Sequence, residues 1–218
     1  MKVTVQQHDC PPPIRLEQEW ANAWTHGLAA AAGVVGAGAI VWHTAIGPWG
    51  RMLSCLAFVI PAIAVFVASA LSHTFINDHA RLKRFRAWDQ GLIYAMISGT
   101  YTPLVYEFAD SNARVWVIIA IWVAAAIGFH SKVFAKYRIN SIGTATYLAL
   151  GWLPALALVG RVPGIVMFWM ALGGVIYTLG VVVLKNDHRV RYLHAVWHLF
   201  VVAAAGCHYW AIYRYIVT

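Results

Sequence analysis

Charge is scarce in this chain. Asp, Glu, Lys and Arg make up 11% of its 218 residues, against about 25% in a soluble domain. Hydrophobic residues make up 61%, where about 45–50% is usual, and the mean hydropathy is +0.65. These values exclude a soluble globular fold and describe an integral membrane protein. Acidic residues are scarcer still, eight against sixteen Lys and Arg. The resulting net charge of +8 would suit nucleic acid, but the bases fall in short segments between apolar runs. There they act as topology signals, so no nucleic-acid partner is expected.

Cysteine is nearly absent. Cys10, Cys55 and Cys207 are scattered and form no C-x-x-C pair, which excludes a disulfide framework and a cysteine-based zinc site. A cleavable leader is not expected. Residues 1–22 carry Pro11, Pro12, Pro13, Glu17 and Glu19 and no apolar h-region, so the first span is expected to act as the insertion signal. The lysines lie in loops, which removes the Schiff-base partner a retinal protein requires. No internal repeat is evident.

What is present is apolar length. Crossing a bilayer as a helix takes about 17–25 residues. Seven runs qualify, at about 23–46, 52–75, 88–107, 114–131, 140–160, 162–184 and 190–216. The expected architecture is all-α: a tail over 1–22 and a seven-helix transmembrane domain over 23–216. Lys2, Arg15, Arg81, Lys83, Arg84, Arg86, Lys132, Lys136, Arg138, Lys185, Arg189 and Arg191 fall on one side of these spans. Only Arg51, Arg114, Arg161 and Arg214 fall on the other. Basic loops stay inside, so the amino terminus is expected to be cytoplasmic and the carboxyl terminus outside.

Against this apolar background a few polar residues stand out. His194 and His198 are four apart in the last span, on one helical face. Polar side chains at membrane depth are costly and tend to be functional. In this topology span 2 ends near His73, span 3 begins at the same face with Asp89, and span 7 begins there with the histidine pair. Three imidazoles with one open position form the ligand pattern of a catalytic zinc site, whereas a structural site closes with four. Zinc acidifies a bound water and polarises a carbonyl, and Asp89 could ligate the metal directly or hold that water and take its proton. Ser69 shares a face with His73, and Glu19, Asn22 and His26 share a face of span 1 near the same boundary. A haem protein with histidine axial ligands is the weaker metal alternative.

The spacing E-x2-N-x3-H (Glu19, Asn22, His26), S-x3-H with a later Asp (Ser69, His73, Asp89) and H-x3-H (His194, His198) resembles the hemolysin III family of the progestin and adipoQ receptor superfamily. The run from Ala95 to Pro103 resembles its span-3 signature, and the run from His194 to Phe200 its span-7 signature. The resemblance covers about residues 17–216. It implies zinc held by His73, His194 and His198, with Asp89 reached through water. It further implies a bacterial-type member in the inner (plasma) membrane. Ser72 and Gln90 depart from residues common in the family, an aromatic and a histidine, without removing a presumed ligand.

Two functions compete. One is an intramembrane zinc hydrolase acting on a lipid amide, ceramide-like, or an ester, with Asp89 handling the proton and Ser69 stabilising the oxyanion or the water. The other is a non-enzymatic sensor, regulator or pore-forming hemolysin in which zinc is structural. A pore needs a polar lining throughout. The span centres are apolar, so only an oligomer could form one. Either way the partner is membrane lipid.

Overall fold

The computed structural model describes residues 16–134 and 142–218. The tail up to Arg15 and the loop bases Lys136 and Arg138 lie outside the described residues. Among the described residues the chain forms seven α-helices: α1 (Leu16–Thr44), α2 (Trp49–Thr74), α3 (His79–Phe108), α4 (Ser111–Val133), α5 (Ile142–Leu158), α6 (Gly164–Lys185) and α7 (Leu193–Ile212). A π-helical turn, Tyr213–Val217, continues α7. No strand occurs among these residues. The fold is therefore the all-α seven-helix bundle expected.

Two helices start earlier than hydropathy indicates. α1 begins at Leu16 rather than near residue 23, with Glu17 and Glu19 in its first turn. Carboxylates there complement the positive end of the helix dipole. α3 begins at His79 rather than near residue 88. Asp78 caps it, accepting from the backbone N–H groups of Ala80 and Arg81 at 3.1 and 3.0 Å, as an N-cap side chain does. Each extension is polar and carries no apolar signal, so only caps and charges mark it.

α1, α2, α4, α6 and α7 with its π-helical end are long and apolar enough to cross a membrane. α5 is apolar but shorter. α3 owes its low hydropathy to basic first turns and to the polar run Ser98 to Thr102. It is nevertheless deeply buried, without a break from Ser98 to Val105. Helices in a bilayer gain little from burying apolar surface against one another, so close approach through small residues takes over. Gly99 serves this purpose. A Cβ at that position would run into the Ala57 carbonyl oxygen and lie 3.1 Å from Phe58 Cα. One core layer gathers Ile40, Phe58, Leu104, Val166 and Ile212. A second, of Ala29, Val65, Phe66, Met96 and Val201, adjoins the polar residues described below.

α5 is attached to α3 largely by tyrosine hydroxyls. Tyr94 bonds Thr146 Oγ1 at 2.6 Å, Tyr147 donates to the Gln90 carbonyl at 2.7 Å, and Tyr101 donates to the Gly151 carbonyl. Between α3, α5, α6 and α7 lies a cavity of about 480 Å³.

The close α2–α3 approach has a measurable cost. Gly99→Ala should destabilise the detergent-solubilised protein by about 1–3 kcal/mol through overpacking. Gly38→Ala, where a Cβ meets nothing within 4 Å, should leave the melting temperature unchanged. Equal melting temperatures for the two variants would contradict the contact.

Candidate metal centre

The end of α2 and the start of α7 bring His73, His194 and His198 together. Their ring centroids form a nearly equilateral triangle, 5.1 Å for His73–His194, 5.1 Å for His73–His198 and 4.8 Å for His194–His198. One ring nitrogen from each lies within 4.8 Å of the other two, so the three can hold a metal ion.

Their outward partners decide which nitrogen that is. His73 Nδ1 donates to Glu19 Oε2 at 2.6 Å. His194 Nδ1 donates to Asp187 Oδ2 at 2.8 Å. His198 Nδ1 donates to the Asn22 carbonyl at 3.1 Å and lies 3.0 Å from Thr25 Oγ1. Carboxylates and carbonyls only accept, so each Nδ1 carries the proton and each Nε2 keeps a lone pair. Among the described residues no Nε2 of the three has a hydrogen-bond partner. The Asn22 amide is 3.5 Å from His73 Nδ1, too long to compete with the Glu19 carboxylate. A ligating histidine almost always gives its second N–H to such an oxygen. The donor set thus fits a divalent metal that favours imidazole, a class that includes zinc, copper, iron and nickel.

α1 supplies much of this outer shell. Glu19, Asn22 and His26 lie on the face turned to α2 and α7, and His26 stacks on His198 with centroids 3.7 Å apart and planes at 10°. Both His26 nitrogens and Asn22 Oδ1 are buried without a partner among the described residues. Such groups are costly to leave dry, and they mark the immediate surroundings as a place where water or a polar ligand group belongs.

Asp89 and Ser69 line the same cavity as His26, His194 and His198. Asp89 is not among the groups within mutual ligating distance, and it makes no hydrogen bond with a described residue. Ser69 is 1% exposed. Away from these residues the wall becomes apolar, with Val65, Ile93, Met96, Trp152, Met170 and Val201. The arrangement is a polar, metal-capable end on an apolar chamber.

Several residues were not apparent from the sequence. Thr25 is off the Glu19–Asn22–His26 spacing, and Asp187 lies in the loop before α7, where no pattern pointed to it. Lys132, counted above among loop bases, is 5% exposed and lines the cavity. A Cβ on Gly143 would lie 2.8 Å from its Nζ, so the lysine turns inward toward the start of α5. His208 also lines the cavity. Its Nε2 donates to the Met170 carbonyl at 3.1 Å, well removed from the triad along α7.

The chain is similar to known proteins over most of its length. A family model described as Haemolysin-III related matches residues 14–209. The chain is 29% identical to the human protein named monocyte to macrophage differentiation factor, covering 90% of this chain and 83% of that one. It is 27% identical to Hemolysin-3 of Bacillus cereus, covering 93% of each. It is 26% identical to a Hemolysin-3 homolog of Bacillus subtilis, covering 93% of this chain and 96% of the relative.

The outer shell makes a graded prediction. His194→Ala should lose bound metal altogether, as read by elemental mass spectrometry of protein purified without chelator. Glu19→Gln and Asp187→Asn should bind it about 10–100-fold more weakly in chelator competition. Unchanged affinity in both would separate these carboxylates from the metal.

Proposed function

The chain belongs to the haemolysin-III related family, and from that premise we propose that it is a zinc-dependent hydrolase of lipid amides, ceramide-like, or of lipid esters. The observation that carries this reading is the triad itself, three imidazoles with their Nδ1 protons tied outward, two of which, His194 and His198, line a cavity of about 480 Å³ with a mostly apolar wall. Three protein ligands rather than four favour an open, catalytic site over a closed, structural one.

Zinc, when bound, supplies a Lewis acid for a substrate carbonyl and lowers the pKa of a water. The residues of the chain do the rest. The apolar wall takes the acyl chain and keeps bulk water from the reacting carbon. Asp89 accepts the proton of the attacking water on a carboxylate oxygen as the new C–O bond forms. It returns that proton to the leaving nitrogen or oxygen as the acyl bond breaks, giving a carboxylic acid and an amine or alcohol. Ser69 Oγ donates a hydrogen bond to the carbonyl oxygen as negative charge builds on it. His26, stacked on His198, stiffens the ring that faces the substrate.

The asymmetry of basic residues supports a cytoplasmic amino terminus, and the bacterial Hemolysin-3 relatives support a bacterial plasma membrane, so the proposed site faces the cytoplasm. Reporter fusions should accordingly read outside at Thr218 and inside at the loop between α2 and α3. The reverse pattern would overturn the orientation.

The bacterial relatives named hemolysin favour a second reading, a membrane-lytic protein that assembles as an oligomer and in which the metal only braces α2 and α7. One comparison separates the two. On the hydrolase reading, Asp89→Asn keeps its metal and loses about 10²–10⁴-fold in cleavage of a short-chain ceramide probe. On the bracing reading, wild-type protein full of metal cleaves nothing, and stripping the metal lowers the melting temperature.

A further inference from the structure

Outside the metal centre the most telling feature is a groove where the early turns of α3 meet the end of α4. Its volume is about 320 Å³. On the α3 side it is formed by Ala80, Lys83, Arg84, Ala87 and Trp88, spaced i, i+3, i+4, i+7 and i+8 and so on one helical stripe. On the α4 side it is closed by Val133 and Phe134.

The two cations are unpaired among the described residues. Lys83 and Arg84 are both exposed, and neither makes an ion pair or hydrogen bond with a described residue. Arg81, on the same segment, is already neutralised by Asp78 at 3.2 Å. The alanines leave room between the cations and the floor. Trp88 and Phe134 are 42% and 65% exposed, large aromatic surfaces of the kind that sits at the membrane–water boundary. Two exposed positive charges, a concave floor and an aromatic rim amount to a receptor for an anion with an apolar remainder.

α4 provides for that remainder. Phe134, Ile127, Val123, Ile119 and Trp116 are all exposed, and they recur at helical spacing down one face. One leaflet of the hydrocarbon core is about 15 Å deep, half of about 30 Å. At 1.5 Å per residue that depth is about ten residues of helix, the stretch from Phe134 to about Val123. An acyl chain lying on this stripe would therefore span its leaflet with its headgroup at the groove.

We propose that the α3–α4 groove is a binding site for an anionic phospholipid, with Lys83 and Arg84 on the phosphate and the chains along the outer face of α4. Basic pockets between membrane helices recognise anionic headgroups in this way. The ligand carries net negative charge. A phosphatidylcholine offers the same phosphate, but its ammonium opposes the two cations. The site is separate from the metal centre, and its existence does not depend on the proposed hydrolysis.

The test is native mass spectrometry of the full-length protein, as purified, against phosphatidylglycerol and phosphatidylcholine of matched chains, with glycerol phosphate as a soluble competitor. Wild type should retain phosphatidylglycerol preferentially. The preference should fall about fivefold for each cation removed, about 1 kcal/mol apiece, in Lys83→Gln and Arg84→Gln singly and in the double variant. A control double variant, Lys185→Gln with Arg189→Gln, should keep it. Equal retention of both lipids by wild type would overturn the proposal. So would a preference that survives the Lys83/Arg84 double variant, or one that the control pair removes equally, which would mark diffuse attraction by surface charge. Displacement of the lipid by glycerol phosphate at equal concentration would reassign the groove to a soluble phosphate.

Discussion

An imidazole N–H enclosed by apolar helices costs about 1–3 kcal/mol when no acceptor meets it, and the three triad rings all have one. That need for an acceptor organises the site end of this bundle. Each of His73, His194 and His198 meets it through Nδ1, and each uses an oxygen from a different place: the Glu19 carboxylate on α1, the Asp187 carboxylate in the loop before α7, and the Asn22 carbonyl. Satisfying the outer nitrogen orients the ring and leaves the inner one as a lone pair. α1, which contributes none of the three imidazoles, is then as necessary to the candidate metal centre as the two helices that do. Its polar first turns, which extend it past the apolar segment to Leu16, carry Glu19 and Asn22 to their partners.

Much of this was legible in the sequence, for reasons that differ by element. The seven helices follow from apolar length between charged loops, a signal that averages over many residues. The triad follows from H-x3-H on one helix and a single histidine at the end of another, once alternating topology places both at one end. Less accessible were features set by contacts between distant segments. Thr25 falls between Asn22 and His26 and shares neither's spacing, yet its hydroxyl reaches His198 Nδ1. Asp187 depends on the turn that carries the chain into α7, where Tyr192 takes a left-handed conformation at φ 60°. Lys132 sits among basic neighbours in sequence and looks solvated, and only the approach of α5 shows that it turns inward. The early starts of α1 and α3 escape hydropathy because those turns are charged.

The helices divide the work unevenly. α3, the least apolar, is buried over the whole stretch Ser98 to Val105. Its outer segment continues beyond the bundle and carries two kinds of surface. Asp89 and Gln90 face the cavity, while Lys83, Arg84 and Trp88 face the groove beside α4. α4 is the opposite, with broad apolar surface for lipid and few buried positions. α5 lies beside them, linked to α3 by the hydroxyls of Tyr94, Tyr101 and Tyr147. Directional bonds hold a helix at a set distance without filling the space behind it, and that unfilled space is the cavity.

The triad is drawn from the two ends of the transmembrane sequence. His73 closes the second helix, whereas His194 and His198 open the seventh. As the chain emerges from the ribosome and enters the bilayer helix by helix, His73 and its partner Glu19 are in place early. They then wait through the insertion of four further helices. No intermediate of synthesis can gather all three imidazoles. A chain that stalls or is cut before its last helix carries an incomplete triad, and a complete one marks a chain inserted through to the end.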